Sequence, residues 1–526
     1  MRKIRKVFIL LWFPVIFCCF FIEQVFSMND THSWTFAQKA MGQNYSSGQL
    51  MTYTVPEEYP LEGSQKFNVS VNGYYTGIYN DNNLWGGNVN FGYFDFEAGN
   101  SVNIVVSYSG SIDSFEILPK GFNIQAEKVS DNALSFQISN VEQYITVIIN
   151  GNYKGDVLHL FANSIDKNIP NVAQKEGYYF DKKQGIHYFG PGYYKLSEMF
   201  SNGTLSVNKK KVIYLAGGAV LDGQLGFNQS SSAEIRGRGM IMNKEEKGMD
   251  NRVVLSVSAS TGGTIEGIII HGHRAPGWVC TNDKSSGLSY RNVKIISTRY
   301  ASTDGIDINQ CTDFTFENMF IRSCDDAVAI KGLDAETSAP VDCRPNKNLL
   351  FEKMQLWNDC NNAFGMGAET RASLYENISL RNSDILFSYD DPNYHETLDE
   401  RSAMNICALH GTYFRNIVFE NIRVNRCERL IGLGFKDNFW FGSIQGDQSY
   451  PGGIDGVIFR NIICESNSGS KIANDIWLYG WYKEGTPTKQ VKNITFDNVI
   501  IEGNLLQNDQ SIKTNNVSGI ILVKDL

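Results

Sequence analysis

The sequence predicts an all-β chain, an N-terminal β-sandwich followed by a right-handed parallel β-helix. Three observations lead there. Glycine is plentiful at 48 residues and proline scarce at 12, the balance of many tight turns between short strands. The first part of the chain alternates polar and apolar residues with period two. The remainder repeats one short unit at irregular intervals, as a solenoid does when its loops differ in length. With 526 residues and 42% hydrophobic content, the chain can bury more than one core. The expected divisions are 1–27, a signal peptide; 28–168, the sandwich; and 169–526, the β-helix.

The first segment reads as an export signal. Arg2, Lys3, Arg5 and Lys6 precede an apolar run from Val7 to Phe21, and Val25-Phe26-Ser27 suits cleavage after Ser27. A membrane anchor is the competing reading, but the run is short for a bilayer. Bulky Phe17 argues against lipid attachment at Cys18. A secreted chain with no membrane association after cleavage is expected. Net charge is −9, with no Lys/Arg block beyond the N-terminus, so nucleic acid is excluded as a partner. Two of the ten cysteines leave with the signal. The other eight (Cys280, Cys311, Cys324, Cys343, Cys360, Cys407, Cys427 and Cys464) contain no CxxC pair, so no structural zinc is expected. Export permits disulfides and a repeat fold permits stacked thiols. Connectivity stays open.

Lys66–Val71, Ser101–Val106, Phe115–Ile117, Leu134–Ile138 and Tyr144–Ile148 are the strand candidates of the sandwich. No catalytic residue types gather there. An aromatic-x-(Asn/Lys)-aliphatic unit then recurs, beginning at Tyr290, Phe316, Phe351, Tyr375, Phe419, Phe459 and Phe496. Coils of about three short strands, stacked at roughly 4.8 Å, would align these positions. The recurring asparagines would then bond to one another along the stack.

One region sets carboxylates beside strand cores. Thr303-Asp304-Gly305-Ile306-Asp307 is followed by Cys324-Asp325-Asp326-Ala327-Val328-Ala329-Ile330-Lys331. The interval from Asp304 to Asp325 suits one coil, placing a lone carboxyl beside a doublet. Neighbouring strand residues face opposite ways, so both members of the doublet reach one side only if the chain turns there. Inverting hydrolysis of a glycosidic bond needs a protonated carboxyl for the leaving oxygen and a carboxylate for water, roughly 6.5–9.5 Å apart. Mutual repulsion would keep one carboxyl protonated near neutrality.

These motifs resemble the polygalacturonase family, whose NTD segment is followed one coil later by a DD segment. The signal, sandwich and β-helix layout resembles the dextranase and isopullulanase family of the same clan. So do Val212–Val220, Gly237–Ile241 and Leu158–Asn163. The resemblance implies a glycoside hydrolase with Asp325 as general acid and Asp304 and Asp326 activating water. Polygalacturonases add a GHG histidine and an R-x-K pair that grips a uronate. Here the comparable stretch is Gly365-Met366-Gly367-Ala368-Glu369-Thr370-Arg371. A neutral dextran-, glucan- or galactan-like polysaccharide is therefore favoured over pectin.

Lys331, Glu369, Arg371, His273 and Trp278 are the candidate substrate-binding residues. Glu369 would bond sugar hydroxyls or pair with Arg371. His271 and His273 share a strand face, but no third metal ligand is found, so neither metal nor cofactor is expected. Trp278, Trp357, Trp440, Trp477 and Trp481 would stack on sugars or pack internally. Tyr389-Asp390-Asp391 reads as an ordinary turn, and the chain as a monomer. Two other classes compete. A β-helix lyase would use the aspartates for calcium and Lys331 as base, whereas a glycan-binding solenoid would perform no chemistry.

Overall fold

The computed structural model describes residues 45–46, 48–243, 253–274, 277–333, 339–390, 401–439, 444–465 and 476–523. The predicted signal peptide, Trp440 and Asp391 lie outside them. Among the described residues no helix is long and apolar enough to cross a membrane.

Two sheets come first. A five-stranded sheet runs in the order Tyr74–Thr76, Phe67–Val71, Val102–Tyr108, Ala133–Ile138, Ala126–Ser130. A seven-stranded sheet is built around Asn88–Phe96 and Val157–Ser164, which pair in parallel. Alternate residues of both sheets, among them Phe67, Val69, Ile104, Phe94, Val147 and Leu160, fill the core between them. The outer face of the larger sheet is apolar too. Val89, Phe91, Tyr144 and Phe161 pack against Met240, Ile269, Phe320 and Trp357 of the following solenoid. This explains why Asn88–Phe96 is buried almost throughout rather than alternately.

After an antiparallel pair, Tyr178–Asp181 with Ile186–Phe189, the described residues build a parallel β-helix. Each middle coil contributes one strand to an eleven-stranded sheet and two to a twenty-one-stranded one. Cys280–Asp283, Ile306–Asn309, Val328–Leu333 and Phe364–Arg371 are consecutive rungs of the smaller sheet. On these rungs Ile306, Ile308, Val328, Ile330, Phe364 and Met366 point inward and are fully buried. Asp307, Ala329 and Gly365 form one outward column, and Asn309 and Lys331 another.

The asparagine stack exists. Asn318 donates to Asn292 at 2.9 Å, Asn461 to Asn421 at 2.9 Å and Asn498 to Asn461 at 2.9 Å. Each of these residues sits at positive φ, between 51° and 56°, a conformation asparagine tolerates better than other non-glycine residues. One predicted unit is out of register. Phe351 is aligned with Leu380, and Leu380 with Phe419, whereas Tyr375 is aligned with Asn346 and Phe414. The repeat position in that coil is therefore Leu380-Arg381-Asn382. Leucine fills the aromatic column there, and an aromatic search slides five residues upstream to the other turn.

Candidate active site

Two stacked turns carry the three aspartates. The segment holding Asp304 leads into Ile306–Asn309, and the segment holding Asp325 and Asp326 leads into Val328–Leu333. Backbone bonds tie them: Gly305 N donates to Asp326 O at 2.8 Å and Asp325 N to Thr303 O at 3.3 Å. Gly305 must lack a side chain, because a Cβ would lie 2.3 Å from Ile321 Cγ2 and 2.5 Å from Ala327 O. The doublet falls on a bend rather than in a strand, so its two side chains escape the alternation of a strand. Asp325 is half-buried at the rim. Its Oδ1 accepts from Asp326 N at 3.0 Å and Asn361 Nδ2 at 2.9 Å. Asp326 is buried, and its Oδ1 accepts from the backbone and side-chain nitrogens of Asn362 at 3.0 and 2.8 Å.

Lys331 is the electrostatic hub. Its Nζ lies 2.9 Å from Asp304 Oδ2, 3.4 Å from Asp307 Oδ1 and 3.7 Å from Glu369 Oε2. It also sits 4.1 Å from the centre of the Trp278 ring, a cation–π contact. Burial pushes the Asp304 carboxyl up to about 7; Lys331 opposes this and Asp325 adds to it. Burial, followed by repulsion from Asp325 and Asp304, drives Asp326 well above the carboxylate range. Asp307 is driven up by burial and then by Asp304, and the two share a side-chain hydrogen bond. Burial alone would lower Lys331, but Asp304, Glu369, Asp307 and Asp326 together hold it well above an ordinary lysine. The result is a carboxyl cluster that retains protons near neutrality beside a permanently charged ammonium.

Residues 171–346 match the family model described as glycosyl hydrolases family 28. That third of the chain contains Asp304, Asp325, Asp326 and Lys331. The chain is a β-helix glycoside hydrolase. Its fold is similar to that of Dex49A from Penicillium minioluteum, at 11% identity and a TM-score of 0.60, covering 91% of this chain and 100% of that one. A family 28 exopolygalacturonase from Yersinia enterocolitica aligns at 11% identity and a TM-score of 0.43, covering 82% and 98%. No curated protein matches the hydrolase in sequence.

The other expected residues of the hydrolase divide. Lys331, Glu369 and Trp278 join the aspartates. Glu369 lies near Lys331 rather than forming only the expected pair with Arg371. Arg371 is nearly buried and lowers the pKa of His410, which burial has already depressed, to about 4. His273 does not offer a free ring to a sugar. Its Nδ1 lies 2.9 Å from Asp81 Oδ2 and its Nε2 faces Arg299, so both nitrogens are engaged. His271 bonds the same Asp81 oxygen at 2.8 Å. Asp81 is the third group that spacing along the chain did not reveal, because it comes from the sandwich. With Arg299 donating to Nε2, the His273 proton belongs on Nδ1, and the contact with Asp81 is a hydrogen bond. Trp357 is fully buried beneath Arg322, and Trp477 packs 3.9 Å from the Arg429 guanidinium, so neither is an open sugar platform. Trp481 spends its Nε1 on Thr486. Asp390 is buried in an ion pair with Arg401.

Sequence reasoning missed Asp307, Asn361, Asn362 and His410. Asp307 stood inside the quoted motif, and outward alternation from Ile306 and Ile308 was the signal that would have found it. The asparagines and His410 come from later coils and left no such signal.

Proposed function

We propose that this hydrolase is a secreted enzyme that cleaves a neutral polysaccharide with inversion, using Asp325 as general acid and Asp304 and Asp326 to activate water. The observation that carries this reading is the gathering of Asp304, Asp325 and Asp326 on two turns bonded to each other through Gly305 N and Asp325 N, with Lys331 beside Asp304. Inversion requires one acid and one base at the same pH, and a cluster too crowded to ionise fully supplies both. Asp325, at the rim, is the member best placed to meet a leaving-group oxygen. Asp304 and Asp326, both more deeply buried, are the pair that would activate the attacking water. Lys331 keeps Asp304 available as a base by favouring its ionised form.

The same charges support a neutral substrate. Lys331 is already committed to three carboxyls, Asp304, Asp307 and Glu369. An ammonium shared in this way is not free to grip a uronate carboxylate. The test is hydrolysis of dextran, pullulan, galactans, carrageenans and polygalacturonate, with the first-formed anomer followed by proton NMR. Inversion on a neutral glycan is expected. Retention of configuration overturns the mechanism, and activity confined to polygalacturonate overturns the substrate class. In D325N, kcat should fall by about 10³-fold or more, with KM little changed.

A further inference from the structure

Two cysteines flank the aspartate turns from neighbouring coils. Cys324 immediately precedes Asp325, and Cys360 immediately precedes Asn361, whose amide holds Asp325 Oδ1. Their sulfurs lie 2.7 Å apart, closer than two unbonded sulfurs rest in ordinary contact. The backbone on both sides fixes this approach. Ser323 is aligned with Asn358, Asp359 N donates to Ser323 O at 2.9 Å, and Ala327 N donates to Asn362 O at 2.9 Å. Adjacent rungs separated by roughly 4.8 Å bring Cα atoms within the range that a disulfide spans. The Asn358 side chain braces the same place, donating to Asp325 O while its Oδ1 accepts from Cys360 N and Asn361 N.

We propose that Cys324 and Cys360 form a disulfide that locks the turn carrying Asp325 to the turn carrying Asn361. Cys360 is half-buried and Cys324 fully buried, so the reaction starts at Cys360. Its thiolate attacks one sulfur of an external disulfide, either glutathione disulfide or an oxidising dithiol protein. A mixed disulfide forms and one thiolate leaves. Cys324 then loses its proton, attacks the Cys360 sulfur and expels the second thiolate. Two electrons and two protons pass from the pair to the oxidant, which becomes two thiols. Contact with Cys360 and then burial hold the Cys324 thiol well above the ordinary range, consistent with its acting second. The Cys427 and Cys464 sulfurs are 3.9 Å apart and both residues are buried, a pair without the same exposed starting point.

The bond itself is independent of the catalytic assignment; only its effect on rate rests on Asp325 acting as proposed. The full chain, treated with glutathione disulfide and digested without reductant, should yield one peptide joining Cys324 to Cys360, about 2 Da lighter than the reduced pair. C324S and C360S should both lack it. Reduction should lower Tm of the wild type by roughly 5–10 °C and leave the C324S/C360S double variant unmoved. Reduction should also lower kcat by about 3–10-fold at unchanged KM, because the donors to Asp325 loosen while the sugar contacts remain. All ten thiols of the full chain still titrating after oxidation, or a link confined to Cys427 and Cys464, overturns the bond. A linked peptide with kcat indifferent to reduction overturns the locking. Loss of all hydrolytic activity in every form leaves the peptide map readable, so the two proposals fail separately.

Discussion

Lys331 shows how one side chain sets the working range of its neighbours. Its ammonium favours the ionised form of Asp304, whose carboxyl burial has raised to about 7. Replacing it in K331Q removes that attraction, so Asp304 ionises at higher pH. The acidic limb of the kcat/KM profile should move alkaline by about a unit, with activity near pH 6 falling by roughly tenfold or more. A second consequence concerns stability. A carboxyl raised in the folded state binds its proton more tightly there than in the unfolded chain. The stability from that proton is present below about pH 4 and is lost as pH rises through about 7. Thermal melts of D304N across this window should show a flatter decline than the wild type, and a parallel decline would count against the raised carboxyl. Asp307 matters through the same pair. D307N keeps the shape of the side chain but cannot hold a proton in common with Asp304, and kcat should fall by about tenfold or more while the fold survives.

Coil-to-coil stacking dominates at the level of the elements. The asparagine turns combine a left-handed backbone with a side-chain bond to the next coil, and the aromatic column runs beside them. Phe316 stacks on Phe351 at 4.4 Å and Phe419 on Phe459 at 5.0 Å. N461A loses the ladder bonds and leaves alanine at φ 51°, so it should cost about 1–2 kcal/mol by chemical denaturation. N461G loses the same bonds without the backbone strain and should cost less than N461A. Equal costs would mean that the bonds, not the conformation, carry the preference. In the coil where Leu380 interrupts the column, L380F tests whether the column accepts a further ring.

The whole molecule is held along the seam between sandwich and solenoid. Arg322, at 0% exposure, bonds Asp359 at 3.2 Å, places its guanidinium 3.1 Å from His159 of the sandwich and lies over the Trp357 ring. Trp85 and Lys154 of the sandwich both donate to Asp359 O, so this strand end touches both halves. R322M strands a buried carboxylate and should destabilise the protein by about 3–5 kcal/mol, read as an earlier unfolding midpoint. Ser323, next along the chain, begins the turn that presents Asp325. The seam therefore supports the carboxyl cluster from behind.

Local chemistry made much of this legible in advance. Period-two alternation, turn residues and the recurring asparagine unit are properties of short segments, and they sufficed for an all-β chain of sheets followed by stacked coils. Asp304, Asp325, Asp326 and Lys331 were readable because one coil separates the two motifs, and adjacent rungs turn a sequence interval into a contact. Glu369 and Trp278 met them for the same reason, each a neighbouring coil away. Asp81 meeting His271 and His273, Asn361 reaching Asp325, and Cys360 reaching Cys324 depend on how separate coils and sheets dock. So did the loss of His273, Trp357 and Trp477 as sugar contacts, since burial is decided by what packs opposite. Spacing along the chain carries information about rung-to-rung neighbours alone; contacts across the seam, and the register where leucine replaces an aromatic, are settled by packing in three dimensions.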